Sequence, residues 1–256
     1  MKSTLISMGM GLLFMYVAFG MYLYLNQHQF LYFPTPDTSS GYPNMALQNG
    51  TQSTNVIVIN EGHKNAILYF GGNAESMAGS AAYIAKQFPH LTVYLLDYRG
   101  YGKSTGIASE EALYKDALTL YDTVSSKHER ISVGGRSLGS GIATYVAAHK
   151  EVYRLVLITP FDSVVNVAQS IYPLYPVSLL LKERYDSLSR INSIKAETLI
   201  IFAQNDKVIP KENTQRLIDA FDKHALKVIR IQNRGHHDIS SDEKYYKSVQ
   251  EFIGEG

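Results

Sequence analysis

Residues 131–149 read ISVGGRSLGSGIATYVAAH, and the order of the parts predicts a strand, a sharp turn and a helix. The apolar run ISVG favours a buried strand, and LGSGIATYVAAH has the pattern of a buried helix. Between them, Gly135-Arg136-Ser137-Leu138-Gly139 matches G-x-S-x-G. In this context the motif places a serine on a crowded turn that only flanking glycines tolerate. Ser137 is therefore the candidate nucleophile, and its alternative role is to cap the helix.

The rest of the chain alternates short apolar runs with longer helical patterns. The predicted strands are 55–59, 66–70, 92–97, 131–135, 154–159, 198–203 and 227–231. The predicted helices lie near 75–87, 109–127, 138–149, 211–222 and 242–253. This alternation predicts an α/β fold with a mostly parallel central sheet and helices on both faces.

One segment interrupts this alternation. Residues 161–190 are too long for a simple crossover between two strands and contain many apolar side chains. We predict a crossover helix and a small lid over the carboxyl edge of the sheet, where a lid would shape an apolar or acyl pocket. Structural packing of the insertion is an equally open alternative.

The N-terminal segment has the length and composition of a membrane span. Residues 5–25 carry no charge and would form a helix of about 30 Å, which matches the hydrocarbon core of a bilayer. We predict an uncleaved signal anchor over 1–27, with a cleaved signal peptide or a buried helix as alternatives. Lys2 precedes the span and no Lys or Arg follows until Lys64, which favours a domain on the extracytoplasmic side, in the periplasm or its equivalent.

The predicted organisation has two further parts. A turn-rich linker with early loops occupies 28–54, and the domain with the alternating pattern occupies 55–256. The net charge is +1 and no basic stripe is visible, so a nucleic-acid partner is not expected. Cysteine is absent, which excludes disulfides, thiolate metal sites and a cysteine nucleophile.

A serine nucleophile needs a base, and the base needs a carboxylate that orients it. Asp206 follows the strand at 198–203 and is the predicted acid, with Asp162 as the rival. His236 follows the last strand and is preferred as the base over its neighbour His237. Asp97 also ends a strand, but it precedes the nucleophile and is expected to brace the loop after it. No metal or other cofactor is expected.

The loop after the strand at 66–70 reads Gly71-Gly72-Asn73-Ala74-Glu75. In a strand–turn–helix nucleophile site the second amide of the oxyanion hole comes from a loop of this kind. The backbone N–H groups of Leu138 and Asn73 are the predicted oxyanion donors, with Ala74 second. The alternative is a glycine turn without a catalytic role.

Several of these motifs together resemble a known family. The segments are FLYFPTP, LYFGGNAES, DYRGYGKSTG, GGRSLGSGIA, ITPFDSV, RYDS, NDKVIP and GHHDI. In this order they are similar to the BEM46-like α/β hydrolases, the group of the ABHD13 and ABHD17 types, with a hydrolase domain like that of the S33 serine aminopeptidases. The resemblance runs from about residue 28 to the end. It implies an α/β-hydrolase sheet and a Ser137–Asp206–His236 triad. One departure is Gly71, where the family usually has a histidine.

The resemblance also implies an activity. Family members are membrane-associated and described as serine hydrolases, some of them lipid or protein thioesterases and some peptidases. We expect hydrolysis of an ester or thioester through an acyl-enzyme, and a membrane anchor favours a lipid or acylated substrate. The alternatives are a peptidase of the aminopeptidase kind and a catalytically silent membrane-bound scaffold.

Overall fold

The computed structural model describes residues 2–254 of the chain. Its centre is one sheet of eight strands in the order β1-β2-β4-β3-β5-β6-β7-β8. Strands β1 and β2 pair antiparallel, as do β2 and β4, and all other pairs are parallel. The bounds are β1 Asn44–Asn49, β2 Gln52–Ile59, β3 Asn65–Phe70, β4 Thr92–Leu96, β5 Arg130–Arg136, β6 Arg154–Ile158, β7 Glu197–Ala203 and β8 Leu226–Ile231.

Helices cover both faces of this sheet, so the predicted α/β architecture is confirmed. Along β6, Leu155 and Leu157 pack into the core on one face, while Val156 and Ile158 pack into the core on the other. This alternation explains why the central strands are continuously apolar. The helices are α1 Lys2–Leu31, α2 Met77–Gln87, α3 Glu110–Val124, α4 Leu138–His149, α5 Val164–Ile171, α6 Val177–Leu180, α7 Lys211–Ala220 and α8 Glu243–Ile253.

The sheet begins earlier in the chain than the sequence pattern indicates. β1 and the first residues of β2 lie in the segment 28–54 that was expected to be a linker with early loops. A two-residue turn joins the strands, with Gly50 at a φ of +66°. The three apolar residues of β1 (NMALQN) are consecutive and do not alternate with polar ones, so the ladder to β2 rather than the local pattern makes it a strand.

Helix α1 is a candidate membrane span. It is the one helix among residues 2–254 that is long and apolar enough to cross a bilayer. At 30 residues it is about 45 Å long. It continues to Leu31, beyond the predicted boundary at residue 27, because its last turn docks on the domain. There Gln27 accepts a hydrogen bond from the Lys182 amide at 2.8 Å, and a His28 ring nitrogen lies 2.9 Å from the Ala108 carbonyl.

Candidate active site

Ser137 lies on the sharp turn between β5 and α4. Its backbone is strained, with φ +49° and ψ −117°, and its amide donates to the Ile158 carbonyl at 2.9 Å. A Cβ at Gly135 would lie 2.2 Å from the Gly139 carbonyl oxygen, and one at Gly139 would lie 2.0 Å from the Phe70 carbonyl oxygen. Both motif glycines are therefore required because backbone atoms occupy the space of a side chain.

The structure brings the three predicted triad residues together. Ser137 Oγ lies 3.0 Å from Nε2 of His236, and Nδ1 of the same ring lies 2.8 Å from Oδ2 of Asp206. His236 is buried, as is Ser137, and the Asp206 side chain is almost so. A carboxylate at Nδ1 favours the tautomer with its proton on that nitrogen, which leaves Nε2 free to accept the serine proton.

The Asp206 carboxylate is held in its ionised form. Burial opposes ionisation, but the hydrogen bond and charge of His236 and the amides of Val208 and Ile209 outweigh it. The pKa of Asp206 is therefore below its ordinary value. The two amides donate to Oδ1 at 2.8 and 2.9 Å, which leaves Oδ2 for the histidine.

The rival acid Asp162 has other partners. It is completely buried and accepts hydrogen bonds from the side chains of Asn166, Asn213 and Arg216, at 2.8, 2.9 and 2.6 Å. It therefore ties the end of β6 to α7. His237, the rival base, is exposed beside the buried ring of His236.

Asp97 braces the loop after β4, as its position suggested. Its Oδ2 accepts a hydrogen bond from Asn55 at 2.8 Å, and its backbone carbonyl accepts one from Ser104 at 2.8 Å. Burial raises the pKa of Asp97, although the Asn55 bond opposes that shift. Gly102 lies so close that a Cβ would be 2.4 Å from the carboxylate.

The amides expected to form an oxyanion hole lie beside the serine. Asn73, Leu138 and Ser137 line one cavity. The backbone amides of Asn73 and Leu138 donate no hydrogen bond to any residue within 2–254. The Asn73 carbonyl is held by the amide of Phe33 at 3.1 Å and the hydroxyl of Tyr101 at 2.8 Å. The loop is therefore fixed from the chain just after α1, which places Asn73 without the histidine that Gly71 replaces.

Sequence reasoning missed the ion pair behind this loop. Glu75 accepts a hydrogen bond from the Gly72 amide at 2.9 Å, and its carboxylate lies 3.8 Å from Arg136. Arg136 also donates to the backbone carbonyls of His236 and His237 at 3.0 and 3.3 Å. The two side chains thus join the loop of Asn73 to the loop of the histidine. The only sequence signal was their position inside two quoted motifs.

Beside Ser137 lies an apolar cavity of about 300 Å³. Its walls come from α1 and from the segment 161–190, which we predicted to be a lid, and Ser137 lies among its lining residues. The sequence suggested an apolar pocket under this segment but gave no sign that α1 would form one wall.

A serine on a strand–helix turn, with a carboxylate and a histidine on loops that follow later strands, is the arrangement typical of the α/β hydrolases. The model of the family described as "Serine aminopeptidase, S33" matches residues 61–184. The uncharacterized protein Rv2307c of Mycobacterium tuberculosis is 32% identical over 235 residues, which cover 85% of this chain and 83% of that protein. Protein bem46 of Schizosaccharomyces pombe is 28% identical over 203 residues, which cover 74% of this chain and 67% of that protein. The chain belongs to the α/β-hydrolase superfamily, in its BEM46-like group, and is a hydrolase.

A solved structure has the same fold. The Pyrococcus furiosus esterase Pf2001 superposes with a TM-score of 0.66 at 18% identity and covers 88% of this chain and 97% of its own. At that identity the similarity establishes the fold alone.

Proposed function

We propose that this chain is a membrane-anchored serine hydrolase that cleaves a carboxylic ester or thioester, with Ser137 as nucleophile, His236 as general base and acid, and Asp206 as its orienting carboxylate. The observation that carries this proposal is the continuous relay from Ser137 Oγ to His236 and on to Asp206, at 3.0 and 2.8 Å. The relay borders an apolar cavity that suits an acyl group.

Acylation follows from this arrangement. His236 Nε2 takes the hydroxyl proton as Ser137 Oγ bonds to the substrate carbonyl carbon, and the amides of Leu138 and Asn73 hold the oxyanion that forms. His236 then gives this proton to the leaving alcohol or thiol as the C–O or C–S bond breaks. Asp206 stabilises the imidazolium throughout.

Deacylation reverses the roles. A water molecule gives a proton to His236 while its oxygen bonds to the acyl carbon, and the collapse of the intermediate releases the acid and returns the proton to Ser137. No cofactor is needed for either step.

Labelling with a fluorophosphonate probe tests the proposal. We expect the full-length protein to label, and the variants Ser137→Ala and His236→Ala to lose labelling. His237→Ala is the matched control because that side chain is exposed next to the base, and it should label like wild type. A folded wild type that does not label would contradict the proposal and favour a silent scaffold.

A second candidate is a serine peptidase of the aminopeptidase kind, which the description of the matching family model favours. Parallel assays on acyl esters, acyl thioesters and aminoacyl amides distinguish the two. Faster turnover of the amides, lost in Ser137→Ala, would replace the esterase proposal with this one.

We further propose that α1 is a signal anchor and that the domain lies on the extracytoplasmic side. The lack of any Lys or Arg between Lys2 and Lys64 supports this orientation. Protease added to spheroplasts, whose cytoplasmic membrane is intact and whose outer layers are open, should digest the domain. Digestion only after the cytoplasmic membrane is opened would contradict the orientation.

A further inference from the structure

Helix α1 forms one wall of the cavity beside the serine. Leu23 and Leu31 of α1 face the cavity from one side, and Val167, Ile171 and Leu180 face it from the other. We call this space the α1–lid groove. Ser137 and Leu138 also line it, so the groove leads from the surface of the candidate membrane helix to the nucleophile.

The lid segment is bonded to α1. The ring of Tyr175 stacks on that of Tyr16, with centroids 4.5 Å apart and planes at 3°. The Tyr16 hydroxyl donates to the Leu174 carbonyl at 2.7 Å, and the Tyr175 hydroxyl donates to the Tyr16 carbonyl at 2.9 Å. Gly20 permits this approach, since a Cβ there would lie 2.7 Å from the Tyr175 ring. The helix and the lid therefore form one unit.

This contact lies deep along the apolar part of α1. Lys182 places its ammonium over the Tyr24 ring at 5.0 Å, a pair that suits the headgroup layer. Tyr16 is eight residues earlier, which puts its stack with Tyr175 about 12 Å further along the helix axis. If Tyr24 lies at headgroup level, the lid tip lies among the acyl chains of one leaflet.

The surface of the lid agrees with that depth. Leu174 and Leu179 are 80% and 83% exposed, and Ile171 is 55% exposed. No charged residue occurs between Asp162 and Lys182. An exposed apolar patch of this kind is typical of a membrane-binding surface.

We propose that the α1–lid groove binds the fatty acyl chain of a bilayer lipid ester, which enters sideways from the leaflet and brings its carbonyl to Ser137. The acyl chain passes from the apolar interior of the bilayer into an apolar groove and never crosses water. Its transfer out of the leaflet therefore has little hydrophobic cost. Helix α1 is then a substrate-binding element as well as an anchor. This inference rests on the proposed function for its chemistry, but not for its binding step.

The test uses the full-length protein in phospholipid vesicles with two substrates, a long-chain acyl phospholipid in the bilayer and a water-soluble acetyl ester. Leu23→Trp fills the groove, and Leu25→Trp is the matched control because Leu25 is 67% exposed on the same helix. We expect Leu23→Trp to lower the ratio of long-chain to acetyl hydrolysis by about tenfold or more. Leu25→Trp should keep the ratio within about twofold of wild type. Equal ratios in the two variants would overturn the inference while leaving the proposed function intact.

A binding measurement separates this inference from the catalytic proposal. Ser137→Ala protein in vesicles that contain a phospholipid with a photoreactive acyl chain should crosslink to the inner face of α5, at Val167. The crosslink should disappear when Leu23→Trp is added and persist when Leu25→Trp is added. The absence of a crosslink at Val167 would overturn the inference that the groove binds an acyl chain, whatever the activity of the wild type. A crosslink at Val167 in Ser137→Ala, together with a wild type that neither labels nor hydrolyses, would support acyl-chain binding and contradict the proposed serine hydrolase function.

Discussion

Arg136 and Glu75 form an ion pair behind the turn that carries Ser137, with 3.8 Å between Arg136 Nη1 and Glu75 Oε2. Burial alone would lower the pKa of Arg136, but the charge of Glu75 and the neighbouring tyrosines hold it above its ordinary value. The guanidinium therefore stays charged and bonded to the carbonyl of His236 while Glu75 holds the Gly72 amide. One pair thus positions both sides of the site.

This pair gives a prediction for Glu75→Gln. Loss of the charge should loosen the loop of Asn73, so we expect the fluorophosphonate labelling rate to fall by up to about 100-fold. The free energy of unfolding should fall by about 1–3 kcal/mol, since a charge-assisted hydrogen bond to Gly72 is weakened. Labelling reactions stopped at timed intervals measure the rate, and denaturant titration measures the free energy of unfolding.

The matched control for that variant is Glu129→Gln, whose carboxylate pairs with Lys64 on the surface. An exposed pair contributes little, so the labelling rate should not change. Equal labelling rates in Glu75→Gln and Glu129→Gln would show that Glu75 does not position the loop.

Substitution by alanine should have opposite effects on folding at two adjacent glycines. A Cβ at Gly135 meets backbone at 2.2 Å, whereas a Cβ at Gly134 meets only the side chains of Ile67 and Tyr69, at 3.3 and 3.4 Å. We expect Gly135→Ala to cost more than about 4 kcal/mol or to prevent folding, since backbone cannot yield. Gly134→Ala should fold, express and label. Similar thermal unfolding of the two variants would refute the turn geometry.

The two candidate acids should fail in different ways. Asp206→Asn should fold but lose activity on the order of 10³–10⁴-fold, because the histidine loses its orienting carboxylate. Asp162→Asn should mainly lose stability, by about 1–3 kcal/mol, because Arg216 and two asparagines lose a charged partner. Labelling rate and unfolding midpoint, measured on both variants, separate them. A larger loss of labelling in folded Asp162→Asn would exchange their roles.

Stability should depend on pH through Asp206. Its folded-state pKa is depressed, so ionisation stabilises the fold fully above the ordinary carboxyl value of 3.8, and this contribution disappears as the pH falls through the lower folded value. We expect the difference in unfolding free energy between wild type and Asp206→Asn to shrink as the pH falls below about pH 4. Denaturant titrations at pH 5 and below measure this difference, and a difference that grows as the pH falls below about pH 4 would contradict the shift.

The depth of the lid in the bilayer can be measured with a single introduced tryptophan, because the chain contains none. Leu174→Trp places a single reporter on the exposed lid tip, and Val228→Trp places one on the edge strand β8. In vesicles, brominated lipids should quench emission from Trp at position 174 strongly and from position 228 weakly. Equal quenching at the two positions would show that the lid tip does not lie in the membrane.

Local pattern was enough for much of this molecule. The run ISVGGRSLGSGIA predicts the turn that carries Ser137, because a buried strand, tight glycines and a helix start are all local properties. The parallel strands were visible for the same reason, since burial on both faces makes each one continuously apolar. Chain order along those strands then reduced the acid and base to Asp206 or Asp162 and His236 or His237.

Tertiary structure decided the remaining questions, because they concern residues far apart in the chain. The path of the loop after β7 brings Asp206 within hydrogen-bond distance of the His236 ring, while Asp162 is hydrogen-bonded by Asn213 of α7. β1 exists only through its ladder to β2, and Arg136 meets Glu75 only where two loops converge. The position of α1 against the lid depends on contacts across more than a hundred residues, and no period or motif within either segment encodes such a contact.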